Sequence, residues 1–383
     1  MFDIGQVIRG TVEKLVFGGK GLIRHEGWVI FVPDVVAHEV VDVTITAKKK
    51  SYFEGQLSSV IEASPLRTIA PCPYFGSCGG CQLQHIVYSE QLKVKKEWLI
   101  DALERTAGIS IDFPVDVKAA KKEWAYRQKV ILHGPECGFY ARDNTTIIPI
   151  ERCLIFSDKG FDDVRALVQK EANNPIKITV MKDEDNNQSI MVDGKLLQSK
   201  KVFEYMVDDL RIFYSPKVFM QNDPHQALQI YQDVLENIQK GPILDLYCGH
   251  GVMTLMAAKR GHKVLGIELD SEAITLAKKS AKANGLDAEF QAKPCEKIKD
   301  EDAKNYDQWI VNPPRTGLST KMMQIIFGHK PKRLVYISCM PSTLARDCKA
   351  LYKEGYVIEK TQVYDMFAET THLETVVYFK VGN

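Results

Sequence analysis

From about Ser215 to its end the chain alternates short apolar runs with helix-length segments. That rhythm constrains the fold strongly, because parallel strands need a crossover before each can pair with the next. Strands are predicted over 243–246, 264–268, 288–290, 308–311, 334–337, 357–363 and 375–379. Helices are predicted over 252–259 and 271–284, the second with Ser271 as its N-cap. The expected class is α/β, and ligands of such sheets bind beyond the carboxyl ends of the strands.

The first strand-to-helix junction reads Asp245-Leu246-Tyr247-Cys248-Gly249-His250-Gly251. Gly249 and Gly251 are expected to let the backbone pass close to a ligand, and the helix start offers free N–H groups. Glu268 ends the next strand, where a carboxylate commonly takes ribose hydroxyls. The spacing alone also suits NAD, but Thr254 stands where a dinucleotide fingerprint has its third glycine. Asn312-Pro313-Pro314-Arg315 places an amide at the sheet's carboxyl edge. Two late segments complete a constellation: Ser338-Cys339-Met340-Pro341 after a strand, and His372-Leu373-Glu374-Thr375 before one. A thiol at a strand mouth, a carboxylate and a nucleotide-type loop point to covalent catalysis with a nucleotide-like cofactor. For Cys339 taken alone, a buried structural thiol is the competing reading.

Upstream, residues 1–63 read as several short strands broken by a sharp turn at Phe17-Gly18-Gly19-Lys20-Gly21, which fits a small oligonucleotide-binding barrel or a purely structural β-domain. Cys72, Cys78 and Cys81 follow, then an amphipathic helix from Ser89 to about Ala107, ending near Gly108. Mixed strand and helix are expected over 115–211, with a hairpin tip at 182–187. The expected domains are 1–63, 64–214 and 215–383.

Nine cysteines without a secretory signal argue for metal or catalytic use rather than a disulfide framework. No apolar run reaches the 18 residues of a membrane span, so a cytoplasmic protein is expected. With a net charge of +1, RNA binding must rely on local basic patches. Candidates are Lys48–Lys50, Lys93–Lys96, Lys121, Lys122 with Arg127 and Lys129, and Lys330–Arg333.

Taken in order, these motifs resemble the RNA uracil-5 methyltransferases, and most closely the 23S ribosomal RNA branch with a TRAM domain and an iron–sulfur cluster. The likeness runs from Gly18-Gly19-Lys20-Gly21 through the cysteines, the glycine loop and Pro-Pro-Arg to Ser-Cys-x-Pro and His-x-Glu-Thr. It implies a Rossmann-like catalytic domain behind a TRAM-like OB-type barrel and a central α+β iron–sulfur domain. It also implies 5-methyluridine formation from S-adenosylmethionine in 23S rRNA by a monomer without membrane contact. Residue by residue, it puts the nucleophile on Cys339 and the general base on Glu374. Cofactor contacts fall on Gln221, Tyr247, Gly249, Gly251, Glu268 and Asn312. The [4Fe–4S] ligands fall on Cys72, Cys78, Cys81 and Cys153, and zinc is the rival occupant of four thiolates.

The chain departs from the family pattern at Asn312 (usually Asp), Met340 (often Asn or Asp) and Val252 (often Asn or Thr). Three other functions compete. Transfer RNA is the alternative substrate. Adenine N6 methylation is suggested by Asn312-Pro313-Pro314, but that chemistry wants an aromatic residue where Arg315 stands and has no use for Cys339. An inactive RNA-binding member of the family is the third.

Overall fold

The computed structural model describes residues 2–172, 175–182, 188–198 and 202–382. Strands β1 (Val7–Leu15), β2 (Gly21–His25), β3 (Trp28–Val32), β4 (Val40–Lys48) and β5 (Phe53–Glu62) close into a barrel in the order β1-β2-β3-β5-β4. Alternation drives this closure: Val41, Val43 and Ile45 of β4 are fully buried while the residues between them face outward. Two of the five strands, β2 and β5, carry no such signal in the sequence. At the head of β2, a Cβ on Gly21 would stand 2.3 Å from Val35, so the residue read as part of a turn is packed inside the barrel.

Helix α1 (Tyr88–Ala102) widens into a π turn over Leu103–Ala107 and stops at Gly108, whose φ of 71° is left-handed. β6 (Val115–Lys118) follows, then β7 (Lys129–His133), β8 (Gly138–Tyr140), β9 (Ile147–Pro149), β10 (Arg152–Cys153), β11 (Ser157–Gly160) and α2 (Asp162–Glu171). β12 (Lys177–Lys182), β13 (Gln188–Val192), β14 (Lys195–Gln198), β15 (Phe203–Val207) and β16 (Leu210–Tyr214) come next. Six of these strands form a sheet in the order β14-β13-β12-β7-β8-β9. β12 and β13 pair antiparallel as a hairpin requires; the tip expected at 182–187 lies, beyond Lys182, outside the described residues.

The remaining elements are α3 (Pro224–Asn237), β17 (Ile243–Leu246), α4 (Val252–Lys259), β18 (Val264–Glu268), α5 (Ser271–Ala283), β19 (Glu289–Ala292) and α6 (Asp300–Ala303). β20 (Gln308–Val311), α7 (Thr320–His329), β21 (Arg333–Ser338), α8 (Pro341–Lys353), β22 (Tyr356–Tyr364) and β23 (Glu374–Val381) end the chain. They build an eight-stranded sheet ordered β19-β18-β17-β20-β21-β23-β22-β6. Its first five strands run parallel, as the alternation demands, and β23 enters antiparallel between β21 and β22. The edge strand β6 comes from far upstream and pairs parallel with β22. Asp270, rather than Ser271, caps α5: its carboxylate accepts from Glu272 N at 2.8 Å and Ala273 N at 3.2 Å.

One apolar core joins barrel, helix and sheet. It contains Ile23 and Val43, Trp98 and Leu99 of α1, and Trp309 and Tyr336 of the large sheet. The Trp98 indole also donates to Leu15 O at 2.9 Å. Among the described residues, no helix is long and apolar enough to cross a membrane.

Candidate active site

The loop after β17 holds three left-handed residues, Tyr247 (φ 62°), Gly249 (57°) and Gly251 (82°). The two glycines serve different ends. A Cβ on Gly249 would meet nothing within 4 Å, so this position faces open space at the sheet's carboxyl edge. On Gly251 a Cβ would strike Phe290 at 2.7 Å and Ala277 at 2.9 Å, so protein packing by itself requires glycine there. Thr254, which breaks the dinucleotide fingerprint, donates to the buried Asp245 carboxyl at 2.5 Å. Burial pushes that carboxyl up to about 7.

Glu268 is half-buried, and its two oxygens accept from Gly249 N (3.1 Å) and Asp270 N (3.0 Å). The carboxylate is thereby fixed in orientation with lone pairs to spare. Tyr247 hydrogen-bonds Glu296, which also accepts from Ser319 Oγ at 2.8 Å. Asn312 follows β20, with its N–H on Leu246 O at 3.2 Å. Gln221 lies in the stretch before α3, beside a segment tethered by His250. That buried ring bonds the Phe219 backbone and the Tyr205 hydroxyl, the latter at 3.0 Å. The structure therefore brings Tyr247, Gly249 and Glu268 together directly, and Asn312 and Gln221 onto segments adjoining them.

β21 and β23 pair Ser338 with Thr375, so the next residues outward, Cys339 and Glu374, face each other at the strand ends. Glu374 is only 3% exposed, and burial raises its carboxyl to about 8 against the opposing pull of Arg315. Cys339 is half-buried. Its thiol is raised first by burial and then by Glu374, while Arg315 lowers it by charge and by a hydrogen bond. His372 is pushed down to about 4 by burial, with Arg315, Arg127 and Lys95 adding to the effect. This ring is neutral near pH 7. A thiol, a guanidinium and a carboxyl of shifted acidity at one strand end suit nucleophilic addition followed by proton transfer.

Residues 365–373 lead into Glu374 and are held on several sides. Lys95, fully buried, pairs with the fully buried Asp365 at 2.5 Å and donates to Phe367 O at 3.0 Å. The patch Lys93–Lys96 is thus not one solvated basic face. Tyr88 donates to Asp365 at 2.7 Å and Tyr126 to Ala368 O at 3.0 Å. Gln82 and Leu83, just after the cysteine segment, donate their N–H groups to Glu369 O at 3.2 and 3.1 Å. From the barrel, Gly19 approaches so closely that a Cβ would lie 2.8 Å from Thr371. Sequence reasoning missed this clamp, because a lysine inside Lys93-Val94-Lys95-Lys96 looks like every other surface lysine.

Cys72, Cys78, Cys81 and Cys153 all line one cavity of about 470 Å³, together with Arg127, Lys129, Arg152, Phe219 and Asn222. Burial raises the Cys153 thiol to about 11 and the Cys81 thiol well beyond its usual range. The neighbouring thiols push Cys81 further in the same direction. Gly80 N bonds Cys78 Sγ at 3.4 Å. Among the described residues, no three His, Cys, Asp or Glu side chains converge tightly enough to hold a metal ion. Cys137, Cys295 and Cys348 are buried, and Cys248 is half-buried in the glycine loop.

The sequence model of the tRNA (uracil-5-)-methyltransferase family matches residues 157–381. An uncharacterised RNA methyltransferase of Protochlamydia amoebophila is 35% identical over 432 residues, covering 99% of both chains. One from Halalkalibacterium halodurans is 30% identical and covers 98% of this chain and 97% of its own. Among solved structures, the Pyrococcus abyssi tRNA (uracil-54, C5)-methyltransferase bound to S-adenosyl-L-homocysteine superposes with a TM-score of 0.78 at 25% identity. That match covers 97% of this chain and 99% of the other.

Proposed function

We propose, starting from the fact that this chain belongs to the tRNA (uracil-5-)-methyltransferase family of S-adenosylmethionine-dependent RNA methyltransferases, that it methylates C5 of a uridine in 23S rRNA through a covalent Cys339 adduct. The observation that carries this reading is the facing of Cys339 and Glu374 at the β21–β23 end, with Arg315 on the thiol. S-adenosylmethionine, when bound, supplies an electrophilic methyl group on a sulfonium. Gln221, Tyr247, Gly249, Gly251, Glu268 and Asn312 are the residues we assign to holding it. The open face of Gly249 and the oriented Glu268 carboxylate fit such a ligand.

Uracil C5 is a weak nucleophile until C6 is attacked. The Cys339 sulfur donates a pair to C6, and the C5–C6 π pair becomes available at C5. That pair forms the new carbon–methyl bond as the bond from methyl to sulfonium breaks, its electrons staying on sulfur. Glu374, acting in its carboxylate form after releasing the proton that burial favours, takes the C5 proton, the C5–H pair restores the double bond, and Cys339 leaves with its own pair. Arg315 favours the thiolate and steadies charge on the uracil carbonyl. Reaching both ring faces requires a uridine flipped out of its stack.

Cys72, Cys78, Cys81 and Cys153 are assigned to a [4Fe–4S] cluster, supported by their lining one cavity. The cluster plays a structural part, since no electron enters the methyl transfer. We assign 1–63 to a TRAM-like RNA-binding domain, 64–214 to the cluster domain and 215–383 to catalysis, in a monomeric cytoplasmic enzyme. Transfer RNA is the second reading, favoured by the name of the Pyrococcus abyssi neighbour. Mapping 5-methyluridine by mass spectrometry in ribosomal and transfer RNA, with and without the protein, separates the two. A 23S site that appears with the intact chain and not with Cys339→Ala is the expected result. A new N6-methyladenosine, or no change in either RNA, refutes the assignment.

A further inference from the structure

Arg315 is exposed on the loop after β20, yet it stands on the Cys339 sulfur, so something must fix a loop that solvent would otherwise loosen. α8 begins two residues after Cys339 and presents three side chains to that loop. Thr343 Oγ1 donates to Arg315 O at 3.0 Å and lies 3.2 Å from Met340 O, so it bridges the segments carrying the guanidinium and the thiol. Arg346 donates to Thr316 O at 3.0 Å and to Leu318 O at 3.3 Å. Asp347, buried, accepts from Leu318 N at 2.9 Å and from Tyr336 Oη at 2.7 Å, and its other oxygen accepts from Arg346 Nε at 2.8 Å. Gly317 sits against this pair with φ 75°, and a Cβ there would lie 2.5 Å from Asp347. The backbone polar groups of 315–318 are thus largely claimed by one stretch of one helix.

We infer that Thr343, Arg346 and Asp347 are positioning residues, which lock the 314–318 loop onto α8 so that Arg315 is held over the sulfur of Cys339. The helix acts as a jig: its N-terminal end follows the thiol, and its side chains set the arginine. The charged groups facing the thiol are Arg315, which favours the thiolate, and Glu374, which opposes it. Loosening the loop weakens only the favourable partner, so the thiol becomes harder to ionise. The inference rests on the reading of Cys339 as the nucleophile, but its test needs no turnover.

The test is peptide-resolved alkylation of Cys339 by iodoacetamide across pH, on the full chain and on Thr343→Val, Arg346→Gln, Arg315→Gln and the double variant Arg315→Gln/Arg346→Gln. Thr343→Val removes one hydroxyl at nearly constant shape, which keeps the test usable should Arg346→Gln fold poorly. Each single variant is expected to move the alkylation midpoint to higher pH and to slow the reaction near neutrality roughly threefold to tenfold. The double variant should match Arg315→Gln alone, because the helix acts through the arginine. Unmoved midpoints in Thr343→Val and Arg346→Gln, or a double shift equal to the sum of the singles, overturns the inference. A Cys339→Ala chain that still methylates RNA defeats the nucleophile reading instead, so the two failures are distinguishable.

Discussion

Glu374 shows how one buried side chain couples chemistry to stability. Its carboxyl is raised to about 8 by burial, so between the ordinary carboxylate range and pH 8 the folded chain keeps a proton that the unfolded chain has released. The folded state binds more protons in that window, and stability therefore falls as pH rises through it. Glu374→Gln removes the penalty. It is expected to raise the melting temperature at pH 8.5 but hardly at pH 4.5, the gain at high pH amounting to about 4–5 kcal/mol. Methylation should be lost at every pH. Calorimetry at both pH values checks the first point, and an unchanged difference between native and variant contradicts it. At this scale the sequence was informative at strand ends: the flanking runs placed Cys339 and Glu374, which the fold brings to one end of the β21–β23 pair. Thr343, Arg346 and Asp347 were not placed this way, because a helix of alternating polar and apolar residues gives no hint of which polar side chains reach another loop.

At the scale of elements, the segment 365–373 is the joint on which the site depends. Its anchor is the Lys95–Asp365 pair, both side chains fully buried. Lys95→Met leaves the buried Asp365 carboxylate without its cationic partner, though the Tyr88 hydroxyl still bonds it, and is expected to destabilise the chain by about 3–5 kcal/mol, read from urea unfolding. A loss within about 0.5 kcal/mol, the range of ordinary surface substitutions, would show that the pair does not anchor the joint. The parallel strands and α4 could be read from the sequence because their runs are continuous and their periods regular; α5 ran one residue past its predicted cap. β2 and β5 could not, because neither carries the alternation seen in β4, and neither could β6. β6 in particular owes its place to pairing with β22, a contact no local pattern encodes. The same holds for Gly251, whose need for glycine arises from Phe290, almost 40 residues downstream.

Across the whole molecule, barrel, cysteine segment and the large sheet meet at the joint through Gly19, Gln82 and Leu83. If the four cavity cysteines hold an iron–sulfur cluster, Cys81→Ser should lower bound iron and sulfide and also the melting temperature, since the same segment braces 365–373. Full stability in a chain depleted of iron would separate the cluster from the fold. Four buried carboxyls share the upward shift: Asp223 to about 6, Asp245 and Glu369 to about 7, and Glu374 to about 8. The penalty of Asp223 is complete near pH 6. Asp245, Glu369 and Glu374 lose their folded-state protons above it and outweigh the opposite contribution of the neutral buried His250 and His372. The melting temperature should therefore fall from pH 6 to pH 8.5 in thermal scans. A curve rising over that interval contradicts the burial of these groups.

The transient bond between Cys339 and the pyrimidine is the claim most open to direct measurement. An RNA fragment carrying 5-fluorouridine at the mapped site, incubated with the protein and S-adenosylmethionine, offers no C5 proton for Glu374 to remove, so the adduct should persist. Mass spectrometry of the digested complex is expected to find the nucleotide on the peptide containing Cys339, and on no peptide of Cys339→Ala. A methylated product released without any adduct, or an adduct on a different cysteine, would contradict the account.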